Sequence, residues 1–512
     1  MLVMKFGGTS VQDAEAIERV AGIVRSRMRR RPVVVVSAFH GVTDQLLALG
    51  QTAASGDGES ALAQGRGLRQ RHYDTARELL GEDRFRGMRL KLDPQFELLE
   101  QFARGIAAIR ELSARSTDYL LSFGEVMSSR IVASALSARG LPALWLDSRE
   151  YILTNGHFTR ATPHYSDTYD RMRAGIRPLL IDQQLPVLAG FIAATREGIP
   201  TTLGRGGSDF SAALIAAGIH ASSIEIWTDV DGIMTTDPLL CPQAHCLRRV
   251  SFREAQEMAH FGAKVLHPAT LVPAMEKNIP VLVLNSRNPK SPGTRITAQP
   301  PRGRSVFTAI AARKNISTVT LTAPRESAPH WFLQEVFHIL HRSACGADLV
   351  AVSEASVSFT LRAGQSTDDL LANLQEIAAV TVEDKQAIVC LLGENIRGRA
   401  GIAARAFTAL GDAGINVRMI SQGASEISLS FVIHERDVTE AVRRLHARFA
   451  PEKSTNRPRG QRKPRLIPVE PPLQSDPVGD TRGRAPGPIA RILAEIPGKR
   501  TATFAEGILR SR

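Results

Sequence analysis

Cysteine is scarce in this chain, with four in 512 residues: Cys241, Cys246, Cys345 and Cys390. They are too few and too scattered for a disulfide framework, so a reducing cytoplasm is the expected compartment. Cys241, His245 and Cys246 are metal-ligand types, but no second Cys/His cluster follows them, and a loop without metal is expected there. No uninterrupted apolar run approaches the roughly 18 residues that a membrane span needs. The opening MLVMKFGGTS sets a lysine inside a short apolar run, which is no secretory signal. The phosphate-loop pattern GxxxxGK[ST] is missing as well.

Acidic residues are also in deficit, and the formal net charge is +13. Location decides what this means. Residues 451–512 hold 13 Lys/Arg against 6 Asp/Glu, so over half the excess lies in the last 62 residues. The body therefore calls for no nucleic-acid partner. That tail also holds 10 of the 28 prolines and few aromatics, so it is expected to be disordered.

What is present is a chain too long for one ordinary core, with 43% apolar and 22% charged residues. Residues 2–6 read as a buried strand running into Gly7-Gly8-Thr9-Ser10. Asp13 opens an amphipathic helix with Ile17, Val20, Ala21 and Val24 on one face, and Pro32 stops it. Residues 33–36 are four valines, a strand covered on both sides. Strand, helix, strand within forty residues predicts a βαβ unit and a parallel sheet. Residues 44 to about 115 have helical spacing and predict an inserted helical subdomain. Further strands are expected at 141–146, 187–194, 224–227 and 281–284, with polar residues of interest at their ends.

After about residue 300 the pattern repeats at an offset of 70: Phe337 to Leu340 matches Phe407 to Leu410, and Val357-Ser358-Phe359 matches Ile427-Ser428-Leu429. Each copy predicts a small ferredoxin-like α+β module, about 305–384 and 385–450. The pair carries no catalytic-looking cluster, which points to regulation or oligomerisation.

The densest chemical signal is TTLGRGGSD at 201–209. Glycines between a strand and a helix start let backbone amides approach an anion, and the helix dipole favours it. Arg205 offers a two-pronged grip for a carboxylate or phosphate, and Asp209 suits a lysine or cation.

Five motifs in register, KFGGTS (5–10), SAFHGVT (37–43), SFGE (122–125), TTLGRGGSD, and WTDVDG (227–232) with FGAKVLHPAT (261–270), resemble those of the aspartate kinases of the amino-acid kinase family, over about residues 1–450. The paired modules resemble tandem ACT modules. The resemblance implies an α/β catalytic domain over 1–298, a mostly parallel sheet sandwiched by helices, followed by the two ACT-like modules. It implies ATP-dependent phosphorylation of the aspartate side chain, with Mg²⁺ carried by the ATP phosphates and no protein metal site. Phosphoryl transfer has a loose transition state, so positioning and positive charge do most of the work.

By the same resemblance Lys5 meets the transferring phosphoryl group, Gly7 and Gly8 offer it amides, and Asp209 organises the lysine. Arg205 grips the α-carboxylate, Glu125 meets the ammonium, and Thr43, Phe191 and Ser208 line the pocket. Lys5, Ser10, Thr228, Asp229 and Lys264 are implied nucleotide contacts. Asp348, Ala347 and Ser353 are the implied contacts of an inhibitory amino acid, lysine first and threonine second. Pairing of the modules implies a homodimer or larger assembly.

The chain departs from the family at Met234 and Leu239, where Tyr and Arg are common, and at Trp331 and Gly346 in the first module. Asp231 reads as a turn former, and His40 is left out of the mechanism. Two other readings stay open: a kinase of the same fold acting on glutamate, and a catalytically impaired amino-acid sensor.

Overall fold

The computed structural model describes residues 1–261, 271–299, 307–324, 329–343, 345–362, 368–394, 396, 398–422 and 427–449. The basic tail and Lys264 lie outside the described residues.

The elements of the first sheet and its helices run β1 (Leu2–Phe6), α1 (Ala14–Arg27), β2 (Pro32–Val36), α2 (Val42–Ala54), α3 (Gly58–Ile109), α4 (Ala114–Ala138) and β3 (Ala143–Leu146). They continue with α5 (Tyr165–Ile181), β4 (Leu185–Ala189), β5 (Ile192–Ala194), β6 (Pro200–Thr202), α6 (Gly207–Ile219) and β7 (Ser223–Thr228). The last are β8 (Arg249–Ser251), α7 (Phe252–His260), α8 (Val272–Glu276), β9 (Val281–Asn285) and β10 (Thr294–Thr297). Eight of the strands form one sheet in the order β3-β4-β2-β1-β7-β9-β10-β8, and only the β9–β10 pair is antiparallel.

β1 lies at the centre, and alternation along it sets the architecture. Leu2, Met4 and Phe6 join the core under α1–α4, while Val3 joins the core under α5 and α6. Side chains two apart share a face, so Lys5 falls on the Val3 side, toward α6. Asp13 caps α1 by accepting from Ala16 N (2.8 Å). The helical insertion is α2 with α3, and α3 breaks at Gly81 (φ 69°, ψ 166°).

One expected strand, 187–194, is two. The chain leaves the sheet after Ala189, turns at Phe191 (φ +66°) and enters the β5–β6 hairpin. The reason is packing: a Cβ on Gly190 would sit 2.6 Å from Ser208 Cβ, so the backbone passes hard against the start of α6.

The second sheet is built from β11 (Ala309–Thr322), α9 (Pro329–Arg342), β12 (Val350–Val352), β13 (Ser356–Arg362), α10 (Asp368–Gln375) and β14 (Ala379–Leu392). They are followed by α11 (Ile402–Gly411), β15 (Met419–Ser421), β16 (Ser428–His434) and α12 (Val438–Phe449). Its order is β12-β13-β11-β14-β16-β15. The repeated segments are α9 with α11 and β13 with β16. The two long central strands serve two cores. Val319, Leu321 and Val380 pack with α9 and α10, whereas Ile310, Val389 and Leu391 pack with α11 and α12. Irregular pairing between Arg313 and Thr318 marks the changeover.

Candidate active site

Lys5 points from the middle of the sheet at the first turn of α6, and its Nζ lies 2.7 Å from Asp209 Oδ1. Both side chains are about nine-tenths buried (11% exposed each). Burial strengthens such a pair and fixes the lysine's direction. Two left-handed glycines, Gly204 (φ +72°) and Gly206 (φ +74°), bracket Arg205 and turn the chain into α6.

A cavity of about 710 Å³ opens over this pair. Lys5, Gly8, Thr43, Glu125, Phe191, Arg205, Ser208 and Asp209 are among the residues that line it, so eight expected site residues share one cavity. Lys5 comes from β1, Thr43 from the start of α2, Glu125 from α4, and Ser208 and Asp209 from the first turn of α6, while Gly8, Phe191 and Arg205 follow β1, β4 and β6. His40 lines the cavity too, although the expected mechanism gives it no part.

Glu125 sits on α4 with 3% exposure. Burial pushes its carboxyl up to about 8, against the pull of a hydrogen bond from the Ala38 backbone. Its Oε2 is buried and has no hydrogen-bond partner among the described residues. Arg205 forms no ion pair among the described residues, and its side chain is exposed to the cavity. A buried, under-satisfied carboxyl and an unpaired guanidinium in one cavity suit a zwitterionic amino acid.

Phe191 keeps its left-handed backbone because neighbours hold both sides of it: Ser211 Oγ accepts from its N–H (3.0 Å), and Leu203 N donates to its carbonyl (2.9 Å). A bulky residue in that region costs of order 1–3 kcal/mol and persists only when its surroundings over-determine it. Gly207 lets Phe191 close in, since a Cβ there would meet its ring at 2.6 Å.

Of the other expected residues that the structure describes, Gly7, Ser10, Thr228 and Asp229 do not line the cavity. The Gly7 N–H donates to Trp227 O (3.0 Å), so this amide ties β1 to β7 and is not turned toward a phosphate. Ser10 is buried, and its Oγ lies 2.8 Å from Ser286 Oγ and 3.3 Å from Trp227 O. Thr228 Oγ1 donates to Asp229 Oδ1 (3.2 Å), while Ser286 Oγ donates to Thr228 O (3.0 Å). Ser10, Thr228 and Asp229 thus form a second cluster at the ends of β1, β7 and β9. Asp231, expected as a turn former, accepts from Asn285 Nδ2 (2.8 Å), a long-range contact that ties its loop to the end of β9.

Asp348, the expected effector carboxylate, already has partners. Its side chain is 4% exposed and pairs with Arg313 (2.6 Å) and Arg362 (2.8 Å), with His260 of α7 at 3.8 Å. Despite the opposing effect of burial, the two arginines hold its pKa below the usual carboxylate range. Ala347 packs on the first module's core, and Ser353 closes a turn with Ser356 (Oγ to Oγ 2.8 Å).

Some residues gave no signal in the sequence. Asp118 is fully buried on α4, where Thr159 N (2.8 Å), Thr202 N (3.0 Å) and Thr202 Oγ1 (2.6 Å) all donate to it. Burial raises its pKa while those three donors pull it back. From α3, Arg71 donates to His40 O (2.9 Å), and His72 stacks on Phe39 with ring centroids 4.9 Å apart. Burial drives the His72 pKa down to about 4, so this ring is neutral.

The family model of the amino acid kinase family matches residues 1–285, and that of the ACT domain matches 389–449. Aspartokinase 1, chloroplastic, of Arabidopsis thaliana is 36% identical over 470 residues, covering 87% of this chain and 80% of the relative. Lysine-sensitive aspartokinase 3 of Escherichia coli is 37% identical over 463 residues, covering 87% and 98%. Among solved structures, E. coli aspartokinase III in complex with aspartate and ADP superposes with a TM-score of 0.77 at 37% identity, over 88% of this chain and 99% of that one. The same enzyme in complex with lysine and aspartate gives 0.75 at 36%, over 88% and 100%. Catalytic sheet, paired modules and cavity all agree with these likenesses: the chain belongs to the aspartokinases of the amino acid kinase family.

Proposed function

We propose that the chain transfers the γ-phosphoryl group of ATP to the side-chain carboxylate of L-aspartate, giving 4-phospho-L-aspartate and ADP. A carboxylate oxygen attacks the γ-phosphorus as the bond to the β–γ bridging oxygen breaks. The carboxylate is ionised at neutral pH, so the step needs no general base. The observation that carries this reading is the buried Lys5–Asp209 pair at the cavity floor, with unpaired Arg205 and under-satisfied Glu125 in the same walls.

Lys5 neutralises the charge that spreads over the transferring oxygens, and Asp209 holds the ammonium in place. Gly8 and the N-terminal turn of α6 face the same group. Arg205 takes the α-carboxylate, Glu125 takes the α-ammonium, and Thr43, Phe191 and Ser208 shape the space between. The nucleotide runs toward Ser10, Thr228 and Asp229, with Lys264 completing the set. Among the described residues no group of three or more His, Cys, Asp or Glu forms a metal cage. Mg²⁺, which keeps much of its hydration shell and needs few protein ligands, would be held by the ATP phosphates and lower their charge.

Regulation belongs to the paired modules. Lysine is the proposed inhibitor, its ammonium competing with Arg313 and Arg362 for the Asp348 carboxylate. Pairing of modules between two copies would make a homodimer. Among the described residues no helix is long and apolar enough to cross a membrane, and a cytoplasmic location is part of the proposal. The test is ADP release measured with L-aspartate and L-glutamate, each with and without lysine or threonine. Turnover on aspartate that lysine suppresses is expected. Preference for glutamate, or no turnover on either acid, would overturn the reading.

A further inference from the structure

The substrate site has two ends, fixed by different elements. Lys5 and Asp209 fix the reacting end on the sheet and α6. Arg205 and Glu125 mark the other end, and their separation from Lys5 sets how long a substrate fits. Glu125 is carried by a packed helix. Arg205 stands on a loop between two left-handed glycines, so something else must hold it.

Three backbone segments meet behind that loop. Leu203 N donates to Phe191 O (2.9 Å), and Ala161 N donates to Thr202 O (3.0 Å). A Cβ on Gly204 would lie 3.2 Å from Thr159 O, so the turn at 159 rests directly on the Arg205 loop. Thr159 is itself left-handed (φ +68°), unusual for a β-branched residue, and must be held there. Its N–H goes to Asp118 Oδ2, and the N–H and hydroxyl of Thr202 go to the same carboxylate. One buried side chain therefore ties both segments to α4, two turns before Glu125 on the same helix face. Thr117, Leu121, Thr159 and Thr202 line the cavity, whereas Asp118 does not.

We infer that Asp118 is a positioning residue that sets the length of the substrate site, and with it the preference for aspartate over the acid one methylene longer. It acts through the 159 turn and the 202–205 segment on Arg205, while α4 presents Glu125 in the same frame. Pocket length discriminates only if both ends are rigid, since one methylene is otherwise a weak handle. This inference rests on the aspartate reading above.

Asp118→Asn tests it. The amide keeps the shape but removes the carboxylate's charge, so the two backbone N–H groups keep only a weaker neutral acceptor and the Thr202 hydroxyl must turn to accept from the new N–H₂. The full chain is assayed for kcat and KM with L-aspartate, L-glutamate and ATP. The aspartate-to-glutamate ratio of kcat/KM should fall at least tenfold, with the aspartate KM rising and the ATP KM within twofold. Thr202→Val removes only the hydroxyl contact at nearly constant shape and should shift the ratio the same way. Thr202→Ser, which keeps the hydroxyl, should retain it. If Asp118→Asn does not fold, the Val/Ser pair carries the test alone. A ratio unchanged in these variants, or an ATP KM that rises as much as that of aspartate, overturns the inference. Inactivity of the unmutated chain on aspartate would sink both this inference and the function it rests on, whereas an active parent with unchanged variants sinks this one alone.

Discussion

Two buried carboxylates in this molecule are both paired with cations, and the pairings differ in kind. Asp209 meets one lysine at the wall of a large cavity, beside an unpaired arginine and a carboxyl with a free buried oxygen. Asp348 meets two arginines, with a histidine behind them, and is nearly enclosed. The first cluster leaves hydrogen-bonding capacity over, and the second has little. Surplus polar capacity in a roomy pocket marks a site prepared for a ligand. At Asp348 a ligand would have to displace the arginines already there, so the two clusters ask different things of whatever binds them.

The comparison breaks first at the Lys5–Asp209 pair, proposed to carry the chemistry. Lys5→Ala and Asp209→Ala should each lower kcat by on the order of 10²-fold or more, since a charge aligned with the transferring group is lost. Melting should show a folded but less stable chain, since each substitution leaves its partner's charge nine-tenths buried and unpaired. Near-normal kcat in either variant would put Lys5 and Asp209 on a par with Asp348, as a structural pair.

Arg205→Lys comes next. An ammonium lacks the planar two-pronged geometry, so the KM for aspartate should rise about tenfold or more while that for ATP moves far less. Selective loss of ATP affinity would show that the two ends of the cavity have been interchanged.

Asp348→Ala tests the other side of the comparison. Lysine inhibition should be relieved about tenfold, within the usual range of 1–3 kcal/mol for allosteric coupling, and kcat should not change. Thermal stability should drop too, because Arg313 is left mostly buried without its partner. Arg362 is half exposed, so water compensates part of that loss. A variant that melts earlier but stays fully lysine-sensitive would confine Asp348 to packing.

What the sequence disclosed follows from how close the cooperating residues lie along the chain. Lys5 with Gly8 span the end of β1, and Gly204 to Asp209 span the turn into α6, so each group is contiguous and visible as a motif. The period-two alternation of β1 even explains why Lys5 faces α6. Asp118 was silent because its partners lie 41 and 84 residues away. Asp348 carried a visible charge, but its arginines lie 35 residues before and 14 after it and share no motif with it. The break at Phe191 was hidden because an apolar run reads as one strand until Ser208 is known to press on Gly190. The duplication likewise showed two modules without showing that β11 and β14 each feed both cores.

The smallest effect, and the one most specific to an open site, is the pH dependence of Glu125. Its carboxyl is raised from 4.5 to about 8 by burial. A raised carboxyl means that the folded chain holds this proton more tightly than the unfolded chain does. The stability it contributes is fully present below pH 4.5 and is lost as pH rises through about 8. The ligand-free chain should therefore lose stability across that window relative to Glu125→Gln, which cannot ionise. A substrate ammonium reverses the preference by favouring the charged carboxylate, so aspartate binding should expel a proton near pH 7. About a tenth of the free enzyme is ionised at pH 7 and half at pH 8, so aspartate affinity should improve roughly fivefold between them. Calorimetric titration in buffers of different ionisation enthalpy reads the released proton directly. Glu125→Gln should bind aspartate more weakly, with no such proton and no pH slope. If the parent releases no proton, Glu125 is ionised before the substrate arrives, and its carboxylate has a partner in solution that burial alone does not reveal.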